Sequence, residues 1–273
     1  MTFVHATAQK GYGSGTNELY DRVRPSYQPA ALEHVRRALR TPGPYNIVEI
    51  GSGTGIFTRT LLADPEWSKT IKELVAVEPS QGMRDVFAKS ISDDRVHLRE
   101  GTFQATGVED GWADLVVMAQ AYHWCPDYDL ASAEFARILK PSGTVAYVWN
   151  AEDRKVARWV TQLRETVERF GSGAPQFRLL LWRQTFDTPS YKRFFESPQE
   201  HLWAYSLTAT EDAVADRAIS KSYIAVLPPD QKEEIRQELV GIVKKGEEKE
   251  WIDEASGTFR YPYQCCVVIA QKK

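Results

Sequence analysis

Cysteine is scarce in this 273-residue chain. The three cysteines are Cys125 and the neighbours Cys265 and Cys266. Neither a disulfide framework nor a paired-cysteine metal site can be assembled from them, so we predict no metal site. The adjacent pair is expected to pack inside a strand.

Long apolar runs and an excess of positive charge are also missing. No run approaches the roughly 20 apolar residues that span a bilayer, and the first residues lack the pattern of a secretory signal. We therefore predict a cytoplasmic protein without membrane contact. The 34 basic and 37 acidic residues give a net charge of -3, which offers no general field for a nucleic-acid backbone. Nucleic acid is not expected as a partner.

What the chain does contain is an alternation of strand-like and helix-like segments. Apolar runs predict six strands, at residues 47–50, 73–77, 96–98, 114–119, 144–149 and 261–269. Helices are predicted over residues 29–39, before the fifth strand and over about residues 152–170. A further helix starts at Asp230, assigned as N-cap with Glu233 as its capping-box partner. This alternation predicts a doubly wound α/β fold with a parallel sheet covered on both faces.

The strongest local signal is VEIGSGTG, in which a buried strand runs into Gly51-Ser52-Gly53-Thr54-Gly55. Glycines let the backbone turn tightly and approach a ligand, and the helix that follows offers unpaired N–H groups. The loop therefore predicts a nucleotide-like ligand. A second string, GYGSG at residues 11–15, follows no predicted strand and is interpreted as a mobile loop.

Neighbouring residues separate three ligand classes. A triphosphate-binding loop needs lysine where Ile56 stands. A dinucleotide fingerprint needs its third glycine at the same position, and this glycine is missing as well. An NAD-dependent oxidoreductase is therefore kept only as the alternative. The remaining class is S-adenosyl-L-methionine, whose cationic groups suit Glu49, an acid that would repel a pyrophosphate. Glu78, at the end of the second strand, is placed to accept hydrogen bonds from ribose hydroxyls in either class.

With these strings, the sequence resembles the class I S-adenosylmethionine-dependent methyltransferases, specifically the small-molecule group called type 11. VEIGSGTG, VAVEPS, ADLVVMAQAYHW and FARILKPSGTVAYVW are similar to four family motifs, in order. YDRVRPSYQP and SKSYIAVLPPDQKEEI resemble the branch that includes trans-aconitate methyltransferase-like proteins. The resemblance implies a mostly parallel, seven-stranded Rossmann-like sheet with an antiparallel last strand, and S-adenosyl-L-methionine as the cofactor.

The resemblance also implies which residues contact the cofactor. Around its methionine part it places Glu49, Gly51, Ser52, Gly53 and Thr54. Around the ribose and adenine it places Glu78, Pro79, Met83, Gly101, Thr102 and Phe103. Beside the sulfonium it places Ala119 and Gln120.

The substrate side is predicted just beyond the fourth strand, at Tyr122-His123-Trp124. His123 is assigned as a base or hydrogen-bond donor, with orientation of the loop as the alternative. Tyr20 and Arg24 are expected to fold over the cofactor, with Arg24 paired to its methionine carboxylate.

We therefore expect in-line methyl transfer to an oxygen, nitrogen or sulfur of a small metabolite, a carboxylate included. A protein that binds the cofactor without transfer is the other alternative. Residues 1–273 are interpreted as one domain, with a cofactor-binding core at 17–150, an aromatic-rich substrate cover at 151–198 and closing strands and helices at 199–273. Ordinary core packing explains the aromatic residues of that cover equally well: Trp159, Phe170, Phe177, Trp182, Phe186 and Tyr191. The methyl acceptor and the oligomeric state stay open.

Overall fold

One sheet forms the centre of the computed structural model, which describes residues 17–171, 173–246 and 248–273. Its strands in these ranges are β1 (Tyr45–Ile50), β2 (Ile71–Val77), β3 (Val96–Arg99), β4 (Ala113–Ala119), β5 (Leu139–Glu152), β6 (Gln199–Ala209), β7 (Trp251–Asp253) and β8 (Thr258–Gln271). The glycine string at residues 11–15 lies outside the described residues.

The strand order creates a natural ligand site. It runs β3-β2-β1-β4-β5-β8-β6, with β7 paired to β8. Strands β1 to β5 pair in parallel, whereas β8 is antiparallel to β5 and β6. The order reverses between β1 and β4, and open α/β sheets bind ligands at such a point. The doubly wound, mostly parallel fold with an antiparallel last strand is confirmed, and β7 is an additional short strand within the described ranges.

Both faces of the sheet are buried. Val48 and Ile47 enter opposite hydrophobic clusters, because successive side chains of a strand point to opposite faces. Cys265 and Cys266 follow the same alternation in β8 as buried free thiols. The predicted packing of the cysteine pair inside a strand is confirmed.

The helices lie between and after the strands. In the described ranges they are α1 (Asn17–Val23), α2 (Pro29–Ala38), α3 (Ile56–Ala63), α4 (Trp67–Thr70), α5 (Gln81–Ser90), α6 (Tyr128–Ile138), α7 (Arg158–Glu168), α8 (Pro189–Phe194), α9 (Glu211–Ile219), α10 (Ser222–Ala225) and α11 (Pro229–Lys244). No helix in these ranges combines the length and the apolar character that crossing a membrane requires.

The predicted N-cap of α11 is wrong by two residues. The helix begins at Pro229 with Pro228 in the N-cap position, so Asp230 lies in the first turn instead of capping it. Glu233 is not a capping-box partner; it accepts a hydrogen bond from Gln237, 3.1 Å away. A proline at the first helical position has no N–H to satisfy, which removes part of the need for a side-chain cap.

Aromatic residues of the predicted cover divide between two cores. Trp159 packs in a third cluster formed by α7, α9, α10, α11 and β8. Trp182 and Tyr191 are buried in the cluster on one face of the sheet. The sequence allowed either core packing or a role in the pocket wall for these residues. Core packing accounts for Trp159, Trp182 and Tyr191.

Candidate active site

The loop after β1 is shaped by its glycines. Gly51, Gly53 and Gly55 have φ angles of 73°, 57° and 87°, in the left-handed region that glycine adopts without steric penalty. The N–H of Gly51 donates to the carbonyl of Val77 over 2.8 Å. A Cβ added to Gly51 would lie 2.5 Å from the Cβ of Ala121. The loop is thereby held between the ends of β2 and β4.

A cavity at this edge of the sheet, here called the glycine-loop cavity, measures about 910 Å³ including its open mouth. Its lining contains most residues predicted to contact the cofactor: Tyr20, Glu49, Gly51, Ser52, Gly53, Thr54, Glu78, Pro79, Met83, Thr102, Phe103, Ala119 and Gln120. It also contains Trp124, predicted on the substrate side, and residues that the sequence did not assign to the site: Tyr27, Ile50, Ile56, Phe57, Gln104, Ala121 and Pro126.

Two buried acids stand in the wall of this cavity. Glu49, 1% exposed, accepts a hydrogen bond from the hydroxyl of Thr58. Burial, together with the neighbouring Glu78 carboxyl, raises the pKa of Glu49 to about 8. Glu78 accepts the backbone N–H groups of Gly53 (2.9 Å) and Ser80 (2.8 Å), and burial raises its pKa as well. A cationic ligand would stabilise the ionised form of these acids.

Three hydroxyl groups of the lining are poised for a polar ligand. The side-chain oxygens of Ser52, Thr54 and Thr102 are buried, and none has a hydrogen-bond partner in the part of the chain that the structure describes. An unsatisfied buried polar group costs about 1–3 kcal/mol, which a ligand that bonds to it recovers in part. The cavity therefore suits a ligand with several polar groups.

A second cavity adjoins the first and shares Tyr20, Gln120 and Trp124 with it. It measures about 1030 Å³ including open space, and we call it the cationic cavity because of its basic lining. The arginine and lysine residues among its described lining are Arg24, Arg154, Arg164, Arg178, Arg217 and Lys221.

His123 lines the cationic cavity as a neutral ring. The indole N–H of Trp149 donates to its Nδ1 over 3.3 Å. Because an indole nitrogen only donates, Nδ1 carries no proton, and the ring proton sits on Nε2. Burial, with the charge of Arg24, lowers the pKa of His123 to about 3. His123 is therefore equipped to donate a hydrogen bond and is a poor proton acceptor near neutral pH.

Known proteins are similar to this chain in sequence and in architecture. A methyltransferase-domain family model matches residues 48–147. An uncharacterized methyltransferase of Mycobacterium bovis is 30% identical over 228 residues, which cover 84% of this chain and 83% of that protein. The chain belongs to the S-adenosylmethionine-dependent methyltransferases. A methyltransferase-like protein of Schizosaccharomyces pombe is 29% identical to this methyltransferase over 225 residues, covering 82% and 83% of the two chains.

The fold of the methyltransferase is also found among solved structures. The YcgJ protein from Bacillus subtilis matches it with a TM-score of 0.55 at 17% identity, covering 90% of this chain and 99% of that one. At this identity the likeness establishes the fold alone. The narrower resemblance to trans-aconitate methyltransferase-like proteins stays a prediction.

S-adenosyl-L-methionine is the cofactor of this methyltransferase, and the glycine-loop cavity fits it. The buried hydroxyls of Ser52, Thr54 and Thr102 supply polar contacts that the described part of the protein leaves unused. The buried carboxyl of Glu49 suits a cationic ligand and disfavours a pyrophosphate. The family membership decides against the NAD-dependent oxidoreductase.

Two residues predicted in the site of the methyltransferase lie outside both cavities. Tyr122 was expected on the substrate-facing wall, but its ring is fully buried and its hydroxyl oxygen accepts a hydrogen bond from Thr185 at 3.0 Å. Gly101 was expected near the adenine, but it packs against β2, where an added Cβ would lie 2.7 Å from Cγ1 of Val77. Both residues support the walls from behind.

Arg24 lies on the other side of the shared wall from the position predicted. It lines the cationic cavity and is outside the described lining of the glycine-loop cavity. Its Nε and Nη2 donate to the hydroxyl (3.1 Å) and carbonyl (2.9 Å) of Ser220. Its guanidinium lies 4.4 Å from the ring centre of Tyr20. These contacts hold the guanidinium of Arg24 at the second cavity. The pairing of Arg24 with the methionine carboxylate of the cofactor stays a prediction.

Proposed function

We propose that the enzyme transfers a methyl group to an oxygen, nitrogen or sulfur nucleophile of a small metabolite held in the cationic cavity. The observation that carries this proposal is the wall of Tyr20, Gln120 and Trp124 that both cavities share. Donor and acceptor in adjoining cavities meet at this boundary, as in-line displacement requires. When bound, S-adenosyl-L-methionine supplies the methyl group on a cationic sulfonium.

In this proposal each part of the glycine-loop cavity has one task. Glu49 lies near the ammonium and sulfonium charges of the cofactor. Glu78 accepts hydrogen bonds from the ribose hydroxyls while it holds the N–H of Gly53. Met83 and Phe103 enclose the adenine with apolar surface, which suits a flat ring.

We also propose the wider organisation of the chain. Residues 1–273 form one methyltransferase domain, with the cofactor core at 17–150, the substrate cover at 151–198 and the closing strands and helices at 199–273. Lining residues of the cationic cavity come from the second segment, Phe177 among them, which supports its role as a cover. The net charge of -3 supports a small-molecule acceptor over nucleic acid. A cytoplasmic location is proposed because the sequence has no membrane-length apolar run and its first residues lack the pattern of a secretory signal.

We infer that His123 acts as a hydrogen-bond donor to the acceptor and does not act as a base. His123→Gln keeps a donor at this position, so its kcat/KM is expected to fall by no more than about 10-fold, the worth of one hydrogen bond. The pH profiles of kcat for both forms should run parallel from about pH 5 to 8. An inflection in this range that is present in the wild type and absent in the variant would show that His123 is a base.

The family cofactor and the buried Glu49 predict proton release on binding. At about pH 6.5 the carboxyl of Glu49 is mostly protonated in the free enzyme, because its pKa is raised to about 8. A cation beside it lowers that pKa, so cofactor binding should release close to one proton, and affinity should rise as pH approaches 8. Calorimetry in buffers of different ionisation enthalpy measures the release. Glu49→Gln should abolish it; an equal release by this variant would contradict the assignment.

Methyl transfer itself is tested with methyl-labelled S-adenosyl-L-methionine and fractionated small metabolites. We expect S-adenosylhomocysteine and a labelled small product to appear together in at least one fraction. Calorimetric titrations with S-adenosyl-L-methionine and with NAD accompany the assay. Tight cofactor binding without product from any fraction would indicate a non-catalytic binding protein, and binding of NAD alone would overturn the proposal.

A further inference from the structure

The charges around the cationic cavity are not balanced by the acids nearby. Glu152 is the one carboxylate among the described lining residues. It accepts hydrogen bonds from Nζ of Lys221 (2.9 Å) and from Nη1 of Arg164 (2.5 Å). Although burial alone would raise it, Lys221, Arg164 and Arg217 hold the pKa of Glu152 well below its usual value. One ionised carboxylate is therefore shared among several cations.

The second acid beside this cavity, Glu168, pairs with three arginines of its lining. Glu168 receives hydrogen bonds from Nη2 of Arg154 (2.5 Å) and from Nε of Arg164 (2.9 Å). Arg178 lies 3.3 Å from the same carboxyl. Glu168 thus engages the arginines of one side of the cavity and leaves Arg217 without a share of its charge.

Arg217 is a buried cation whose charge is stabilised by Tyr263, Glu152 and Tyr261, and two of its three nitrogens have no hydrogen-bond acceptor among the described residues. The residue is 4% exposed, and its Nε and Nη1 have no hydrogen-bond partner within residues 17–171, 173–246 and 248–273. Burial of a guanidinium is costly unless an anion and hydrogen-bond acceptors accompany it. A planar guanidinium matches carboxylate and phosphate groups in two parallel hydrogen bonds.

Two further basic side chains lie at the turn after α9, Lys221 within it and Arg24 bound to it. Lys221 follows Arg217 by four residues, and Ser220 between them fixes the guanidinium of Arg24 by two hydrogen bonds. The guanidinium groups of Arg24, just after α1, and of Arg217, in α9, therefore reach one part of the cavity wall together with the amine of Lys221. Burial and the charges of the neighbouring arginines lower the pKa of Lys221, so an anion beside this amine would stabilise its charged form.

We infer that the cationic cavity recognises its occupant as a small organic anion with at least two negative charges, held by Arg217, Lys221 and Arg24. The inference rests on the proposed function only where it identifies this occupant with the methyl acceptor. Carboxylate and phosphate groups share the chemistry that these side chains select. The neutral His123 adds a hydrogen-bond donor to the wall of this cavity.

The test compares three probes that differ in charge: succinate, its uncharged analogue succinamide, and inorganic phosphate. Calorimetric titration of the full chain should show succinate or phosphate binding at least about 10-fold more tightly than succinamide, the worth of one charged hydrogen bond. The tighter of the two anions identifies the group that the acceptor carries. Equal affinities for all three probes would overturn the inference.

Variants locate the binding. Arg217→Gln and the partly exposed Arg24→Gln should each weaken anion binding by about 10-fold or more. Arg183→Gln, which removes an exposed arginine that pairs with Glu200, is the matched control and should bind the anion as the wild type does. Full affinity in both cavity variants would place the anion elsewhere and overturn the inference.

A parallel titration with S-adenosyl-L-methionine keeps the two proposals distinguishable. If the wild type binds the cofactor but shows no preference for anions, the inference about the acceptor fails and methyl transfer to another small molecule stands. If the cofactor does not bind, the proposed function fails first. Retained cofactor affinity in Arg217→Gln also shows that this variant folds, so a loss of anion binding reports on the cavity.

Discussion

Replacing Glu78 by glutamine is expected to weaken binding of S-adenosyl-L-methionine by about 10- to 100-fold, because hydrogen bonds to a charged group contribute about 1.5–3 kcal/mol. The carboxylate holds the N–H groups of Gly53 and Ser80. In the proposed complex it also accepts the ribose hydroxyls. An amide offers one acceptor oxygen where the carboxylate offers two, and its NH₂ faces a backbone donor. Calorimetric titration measures the loss directly.

The matched control for this variant lies in β2, the strand that directly precedes Glu78. Glu73→Gln makes the same chemical change at a side chain that is 43% exposed, far from the end of β2 that reaches the cavity. Its cofactor affinity should equal that of the wild type. If Glu78→Gln binds as tightly as Glu73→Gln, Glu78 has no part in the cofactor site.

A methyl group added to the glycine loop should separate backbone strain from loss of binding. Gly53 has a φ of 57°, and an added Cβ would meet no described atom within 4 Å. Because Gly53 lines the cavity, the methyl group of Gly53→Ala would occupy space that the cofactor needs. We expect cofactor affinity to fall by about 10-fold or more, with a loss of roughly 1–2 kcal/mol in the free energy of unfolding from the left-handed backbone.

Gly111 supplies the control for that strain. It has a φ of 61°, and its added Cβ would likewise meet no described atom within 4 Å, but it lies before β4 and away from the cavity lining. Gly111→Ala should therefore lose similar stability in thermal unfolding and keep its cofactor affinity. Equal affinity losses in the two variants would mean that strain, and not occupancy of the cavity, explains the effect.

Much of the lining of the glycine-loop cavity could be predicted from the sequence because several of its residues are consecutive. Gly51, Ser52, Gly53 and Thr54 follow one buried strand directly, and the carboxyl ends of parallel strands meet at one edge of the sheet. Because β2 pairs with β1 in parallel, Glu78, which directly follows β2, lies at the same edge. Local patterns of this kind can be recognised without any knowledge of long-range contacts.

The edge strand β6 escaped prediction because its apolar signal is weak. Its first four residues are exposed, and the inward alternation starts at Trp203 and continues through Tyr205 and Leu207 to the buried Ala209. A period of two was therefore present in the sequence, over a segment too polar to be recognised by its apolar run.

The cationic cavity could not be predicted for a different reason. Arg24, Arg164 and Arg217 are far apart in the sequence, and each has another charged residue within three positions. A buried arginine and a solvated one look alike until the chain is folded. Tyr122 was misplaced likewise, since its position after β4 does not reveal that the ring turns into the core.

A crystal structure of the enzyme with S-adenosylhomocysteine tests the central claim most directly. The account predicts the ligand in the glycine-loop cavity, with its ribose hydroxyls on Glu78 and its sulfur facing the wall of Tyr20, Gln120 and Trp124. The methyl group of the bound cofactor would then point toward the cationic cavity. A ligand outside the glycine-loop cavity, or one whose sulfur faces away from that wall, would contradict it.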